Sequence, residues 1–160
     1  MTNPLVRQQN PGARAGVFVC MSGRGRHPAG LLDPVMALRH GKLVYALGLP
    51  DGKRIFPSAL QALLNLIDHG MSLQEAVEAP RVWTEGNALE MELAVPDGVR
   101  ATLASMGHKV VALPTVAGGM NAIQFHDDGS LTGAACWRAD GTPIGLAGGL
   151  ARAGVRFGLA

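Results

Sequence analysis

The sequence predicts an α/β chain of the α+β kind, a mixed and largely antiparallel sheet with helices packed on it. Three observations carry that reading. Short apolar runs of strand length recur along the chain, two pairs of them joined by tight-turn signals at His40-Gly41 and Asp128-Gly129. Three helical patterns fall between the runs. The order is strand, two-strand hairpin, two helices, strand, helix, three strands, which is not a succession of βαβ units.

Taken in order, residues 1–15 form an irregular arm with Pro4, Pro11 and Gly12 and no apolar period. Gly16 to Met21 is a short buried strand, and residues 22–31 are a Gly-rich loop. Val35–Arg39 and Lys42–Leu47 are the arms of a hairpin about His40-Gly41. Gly48-Leu49-Pro50-Asp51-Gly52 is a sharp turn, and a helix follows it with Pro57 in its first turn. Leu60, Leu63, Leu64 and Ile67 fall on one face of that helix, and Gly70 ends it. Ser72-Leu73-Gln74-Glu75 is a capping box that opens a second helix, stopped by Pro80. In residues 88–93 Leu89, Met91 and Leu93 alternate with Glu90 and Glu92, predicting a half-exposed strand with both glutamates outward. A third helix follows Pro96, with Val99, Leu103 and Met106 on one side and Gly107 at its end. Lys109–Leu113, Asn121–His126 and Leu131–Cys136 complete the strands. One domain is expected over 16–146, followed by a Gly- and Ala-rich tail over 147–160.

Composition narrows the function. The chain has 160 residues, of which 48% are hydrophobic and 16% charged, so it can bury a core and is not of the disordered, highly charged class. A net charge of +2 with scattered Lys and Arg gives no nucleic-acid surface. The tightest basic group, Arg24, Arg26 and His27, has no interleaved aromatics and reads as a solvated loop. Two cysteines, Cys20 and Cys136, allow one disulfide and make no framework. No metal-ligand spacing, GxGxxG or P-loop is present, so neither metal nor nucleotide cofactor is predicted. No apolar run approaches the roughly 20 residues of a membrane-spanning helix, and the first residues lack a signal peptide's apolar core. The chain is therefore expected in the cytoplasm if it is complete, and exported if it belongs to a longer precursor.

A more specific signal lies between Gly48 and Arg81. Leu60-Gln61-Ala62-Leu63-Leu64-Asn65-Leu66-Ile67-Asp68 leads into Gly70-Met71-Ser72-Leu73-Gln74-Glu75-Ala76-Val77-Glu78-Ala79-Pro80-Arg81. This stretch resembles the γ-glutamyltranspeptidase family, in which an LQ-x-x-L-N-x-x-D-x-GM-x-x-QEAV-x-APR segment follows a G-x-P-G-G turn. Gly107-His108, Asn121-Ala122-Ile123 and Gly133-Ala134-Ala135 are similar in order and spacing, so the resemblance covers about residues 30–145. It implies part of an N-terminal-nucleophile hydrolase αββα sandwich. It also implies a self-cleaving precursor whose small subunit opens on a threonine that attacks γ-glutamyl amides of glutathione-like compounds. The free amine of such a threonine can take the hydroxyl proton. The developing oxyanion needs preorganised N–H donors, which a glycine turn brings close.

By resemblance Asp51 and Gly52 hold the oxyanion-turn positions. Gly118-Gly119, just before Met120, reads as a turn that lets the chain approach the site and is a substrate-binding candidate. Asp51 keeps an N–H donor, but its carboxylate would repel an oxyanion and its Cβ disfavours glycine's backbone angles; the bland alternative is that Asp51-Gly52 is only a turn. Gly30 and Leu31 stand where the family often has a serine pair that holds the substrate carboxylate, and neither can donate from a hydroxyl. Cys136 stands where an aspartate is usual and is expected to be a small buried residue, because no base neighbours it in sequence. The residues before Leu31 do not resemble the threonine block. Thr2 would become N-terminal on loss of Met1, but an irregular arm follows it, so its position reads as chance. Glu75 is expected to cap, Arg81 to hold the chain after Pro80, and Trp83 to pack.

The expectation is therefore a small-subunit segment that transfers or hydrolyses γ-glutamyl groups only in combination with the threonine block and a large-subunit-like chain. The alternative is a non-catalytic truncated homologue that acts in binding or assembly. A half-sandwich would leave one sheet face apolar and exposed, so a partner chain or self-association is expected.

Overall fold

The computed structural model describes residues 17–21, as backbone, and residues 34–145. Eight strands form two sheets. The larger is antiparallel throughout and built from β1 (Val17–Met21), β2 (Val35–Arg39), β3 (Lys42–Gly48), β7 (Asn121–Phe125) and β8 (Leu131–Ala135), in the order β1-β2-β3-β7-β8. The smaller holds β4 (Val82–Thr84), β5 (Leu89–Glu92) and β6 (Val110–Leu113). β5 pairs antiparallel with β4 and parallel with β6, and α3 (Asp97–Ser105) makes the crossover between β5 and β6. This is the mixed, mainly antiparallel α+β architecture that the pattern predicts.

The hairpin of β2 and β3 turns through His40 at φ 52° and Gly41 at φ 79°, the two positive φ values of a type I′ turn. A register shift at Ala37/Leu38 lies within this hairpin and has no signal in the sequence. After β3 the chain turns at Gly48–Gly52, makes a short 3-10 turn at Gly52–Arg54 and enters α1 (Ile55–Ile67). α2 (Leu73–Glu78) opens on the predicted capping box. The Glu75 N–H reaches Ser72 Oγ at 3.4 Å, and the Ser72 N–H reaches Glu75 Oε2 at 2.8 Å.

α1 and α2 pack on one face of the large sheet. Val35, Ala37, Tyr45, Leu47, Ala122 and Ala134 meet Ile55, Ala59, Ala62, Leu63, Leu66, Leu73 and Val77 there. The helix face differs from the expected one. Leu63 is buried, but Leu60, Leu64 and Ile67 are 41%, 43% and 38% exposed. Ala59 and Ala62 face the strands instead, because small side chains let the helix axis approach the sheet.

Cross-strand pairing aligns Met36, Ala46, Ile123 and Gly133 in one row on the opposite face. Met36 and Ile123 are exposed in this row, and among the described residues no helix covers them. Among the described residues the large sheet thus carries one helical layer, and its other face is covered by no helix, with Pro143 lying beside Gly133 at one end of the row.

Candidate active site: the Gly48–Gly52 turn and its buried support

The turn between β3 and α1 concentrates unusual backbone. Asp51 takes φ 123° and ψ 40°, and Gly52 follows at φ 52°. Positive φ is costless for glycine and strained for a residue with a Cβ. Asp51 thus occupies the kind of backbone geometry that glycine fills without strain. Its carboxylate is exposed and sits 3.7 Å from Arg54 Nη1. Arg54 also donates to Glu90 at 2.8 Å and stacks over the Trp83 ring, 4.5 Å from its centroid. Trp83 therefore packs against a cation, and the 3-10 turn is clamped to the β4–β5 hairpin. Lys53 adds an exposed pair with Glu85 at 2.5 Å.

Gly118 reaches this turn directly. Its N–H donates to the Pro50 carbonyl at 3.3 Å, and a Cβ on Gly118 would lie 2.6 Å from Pro50 Cγ. Gly119 is packed on the other side, where a Cβ would come within 2.3 Å of the Ala139 Cβ. Both glycines are present because a side chain would force the Val116–Met120 loop off its neighbours. The structure brings Asp51, Gly52, Gly118 and Gly119 into one region, whereas Thr2, Gly30 and Leu31 lie outside the described residues.

A buried ionic cluster holds this loop. Glu92 is 0% exposed, contrary to the outward position that alternation predicts. One carboxylate oxygen accepts the Val116 N–H at 2.8 Å and Arg138 Nε at 2.6 Å; the other accepts the Arg81 N–H at 3.0 Å and Arg138 Nη2. Burial alone pushes the Glu92 carboxyl up, but the Arg138 guanidinium and the N–H groups of Val116 and Arg81 outweigh it and hold it below the usual carboxylate range. Arg138 also donates to the Val77 carbonyl at 3.1 Å and the Ala79 carbonyl at 2.9 Å. Arg81 donates to the Gly118 carbonyl at 2.8 Å and to the Val116 and Val77 carbonyls at 3.4 Å. Arg81 thus holds the chain after Pro80, as expected, and holds the glycine loop as well.

Cys136 closes the cluster. It is 1% exposed and a free cysteine, and its sulfur accepts the Met120 N–H at 3.1 Å and Arg81 Nη2 at 3.8 Å. Burial pushes its thiol up, while the N–H of Met120, the backbone and side chain of Arg138 and the charge of Arg81 pull it down by more. Sequence reasoning missed Arg138 and the inward turn of Glu92. Their partners lie 11 to 61 residues away, so no local pattern encodes them. Among the described residues no group of three His, Cys, Asp or Glu side chains could hold a metal, and no helix is long and apolar enough to cross a membrane.

An antiparallel sheet with a single helix layer, and a strained glycine-type turn leading from a strand into a helix, define a partial N-terminal-nucleophile hydrolase fold. Residues 22–146 match the γ-glutamyltranspeptidase family, and the chain belongs to it. It is 69% identical over 126 residues to the acylase ACY 1 proenzyme of Pseudomonas sp. strain SE83, a match covering 79% of this chain and 23% of that protein. It is 33% identical over 123 residues to the glutathione hydrolase proenzyme of Bacillus subtilis strain 168, covering 76% of this chain and 21% of that one. Among solved structures, a mutant of Helicobacter pylori γ-glutamyltranspeptidase superposes with a TM-score of 0.64 at 32% identity, covering 73% of this chain and 66% of that chain. The chain thus spans less than a quarter of the length of these two proenzymes.

Proposed function

We propose that this chain is the distal small-subunit segment of a threonine-nucleophile amidohydrolase, in which the Gly48–Gly52 turn supplies the oxyanion donors. The observation that carries the reading is the pair of positive φ angles at Asp51 and Gly52, held by the Gly118 contact with Pro50. A turn with no task has no need of a strained aspartate. In this reading a threonine on another segment attacks the amide carbonyl, its amine takes the hydroxyl proton, and the N–H groups of Asp51 and Gly52 meet the charge that forms on oxygen. Arg54 draws the Asp51 carboxylate to itself at 3.7 Å and lessens its repulsion of that charge.

The substrate is an amide of the γ-glutamyl type or a related acyl amide. The 69% identity with an acylase proenzyme supports the acyl side of that range. So do Gly30 and Leu31, which offer no hydroxyl to a substrate carboxylate where the serine pair is usual. The row Met36-Ala46-Ile123-Gly133 is the surface on which a complementary sheet from a large-subunit-like chain, or a second copy, would pack.

The test is co-expression with a chain that supplies the threonine block and the large-subunit part. Assays use a γ-glutamyl anilide and a simple acyl anilide without a carboxylate, such as a butyryl anilide. Turnover is expected only from the combination, with the simple acyl anilide the better substrate. A stable complex with intact threonine and no turnover of either amide would favour the binding or assembly role instead.

A further inference from the structure

The cluster beneath the glycine loop is one negative charge short. Two guanidinium groups, Arg81 and Arg138, face one carboxylate, Glu92, and the Arg138 and Glu92 side chains are 0% and 1% exposed. The uncompensated charge is buried, where leaving it alone is costly. Among the described residues the remaining ionisable group in contact is Cys136. The hydrogen bonds that reach its sulfur are donated to it, by the Met120 N–H and by Arg81. The Met120 N–H approaches to 3.1 Å, close for sulfur, and a neutral thiol is only a weak acceptor.

We propose that Cys136 is carried as a thiolate, the fourth charge of the Arg81–Glu92–Arg138 cluster, and that it is a positioning residue for the Val116–Met120 loop and the Pro50 turn. Its sulfur fixes Met120, while Arg81, which it helps to neutralise, fixes Gly118, and Gly118 braces Pro50. The charged groups that face Cys136 are Arg81 at the head of β4, Glu92 in β5 and Arg138 just past β8. Burial and then the charge of Arg138 lower the pKa of Arg81, whereas burial of Arg138 is outweighed by Glu92 and Cys136, which raise its pKa, so the shortfall of negative charge falls on Arg81. The catalytic meaning of the turn rests on the function proposed above; the thiolate does not, and is tested on the chain alone.

The experiment uses the full chain with Cys20→Ser, which leaves one thiol. Ultraviolet thiolate absorbance is titrated against the same protein carrying Cys136→Ala. One thiolate equivalent is expected at neutral pH, with a midpoint below the ordinary thiol value of about 8.5. The Met120 amide resonance should shift with the same midpoint. A midpoint at or above the ordinary value overturns the proposal. In thermal melts, Cys136→Asp should stay near the parent and neutral Cys136→Ser should melt lower, the gap from parent to Cys136→Ser closing as the pH falls through the thiolate midpoint. A thiolate signal together with an unaffected Cys136→Ser chain overturns the positioning role. If Cys136→Ser does not fold, the absorbance and the Met120 shift decide alone.

Discussion

Replacing Asp51 with glycine should stabilise this chain, although glycine substitutions usually do the reverse. Asp51 sits at φ 123°, where a side chain strains the backbone by about 1–3 kcal/mol. Glycine removes that strain and adds about 0.4–1 kcal/mol of unfolded-state entropy. The lost pair with Arg54 is long, at 3.7 Å, and its carboxylate is 42% exposed. Solvent screening leaves such a pair at most about 0.5 kcal/mol. The net gain centres near 1 kcal/mol, a rise in Tm of about 2–4 °C for a chain of this size. The assay is calorimetry backed by urea unfolding with an unchanged slope. Asp51→Ala is the control, because it deletes the carboxylate and keeps the Cβ. The reasoning is refuted if Asp51→Gly melts no higher than the parent, or if Asp51→Ala gains as much, which would trace the effect to charge.

Three more outcomes are expected. Glu92→Gln should cost about 3–5 kcal/mol in urea unfolding, because it leaves two buried guanidinium groups without their carboxylate. Since the folded carboxyl titrates below its unfolded value, its contribution is present above about pH 4.3 and is lost as the pH falls through the folded pKa; that part of the acid limb should vanish in Glu92→Gln. Gly119→Ala should cost about 1–3 kcal/mol through the 2.3 Å approach to Ala139 Cβ, and adding Ala139→Gly should restore most of it, as a double-mutant melt would show. Ser72→Ala should cost about 1 kcal/mol through the lost cap of α2, measured by the same melts.

The parts of the fold that a local pattern encodes were legible in the sequence. The type I′ hairpin at His40-Gly41 and the capping box at Ser72–Glu75 depend on residues two to four apart, and both stand where expected. The buried face of α1 does not work this way. Apolar residues surround that helix, and a count of leucines favours Leu60, Leu64 and Ile67 over Ala59 and Ala62. Close packing on the sheet rewards the small residues instead. β4 escaped notice because three residues carry no period. Glu92 escaped for a stronger reason. Alternation places it outward, and only partners from Arg81 at the head of β4, the 116–120 loop and the segment after β8 turn it inward. The turn itself was legible through its resemblance, while its support by Gly118, Arg81 and Cys136 is a tertiary fact.

The small sheet has little interior of its own. Of its strand residues Met91 and Glu92 are buried, and α3 buries none. Its attachments are the Glu92 cluster, the contacts of Arg54 with Glu90 and Trp83, the exposed Lys53–Glu85 pair, and the Gln61 side chain, which exchanges two hydrogen bonds with the Val82 backbone, at 2.8 and 2.9 Å, as a neighbouring strand would. A sheet held in this way has no separate melting transition. Its amides should exchange with solvent through the same global opening as those of the large sheet, so damage at β5 is felt at the β3–α1 turn. Glu92, Gln61, Arg54, Arg81 and Arg138 thus make two sheets into a single cooperative unit.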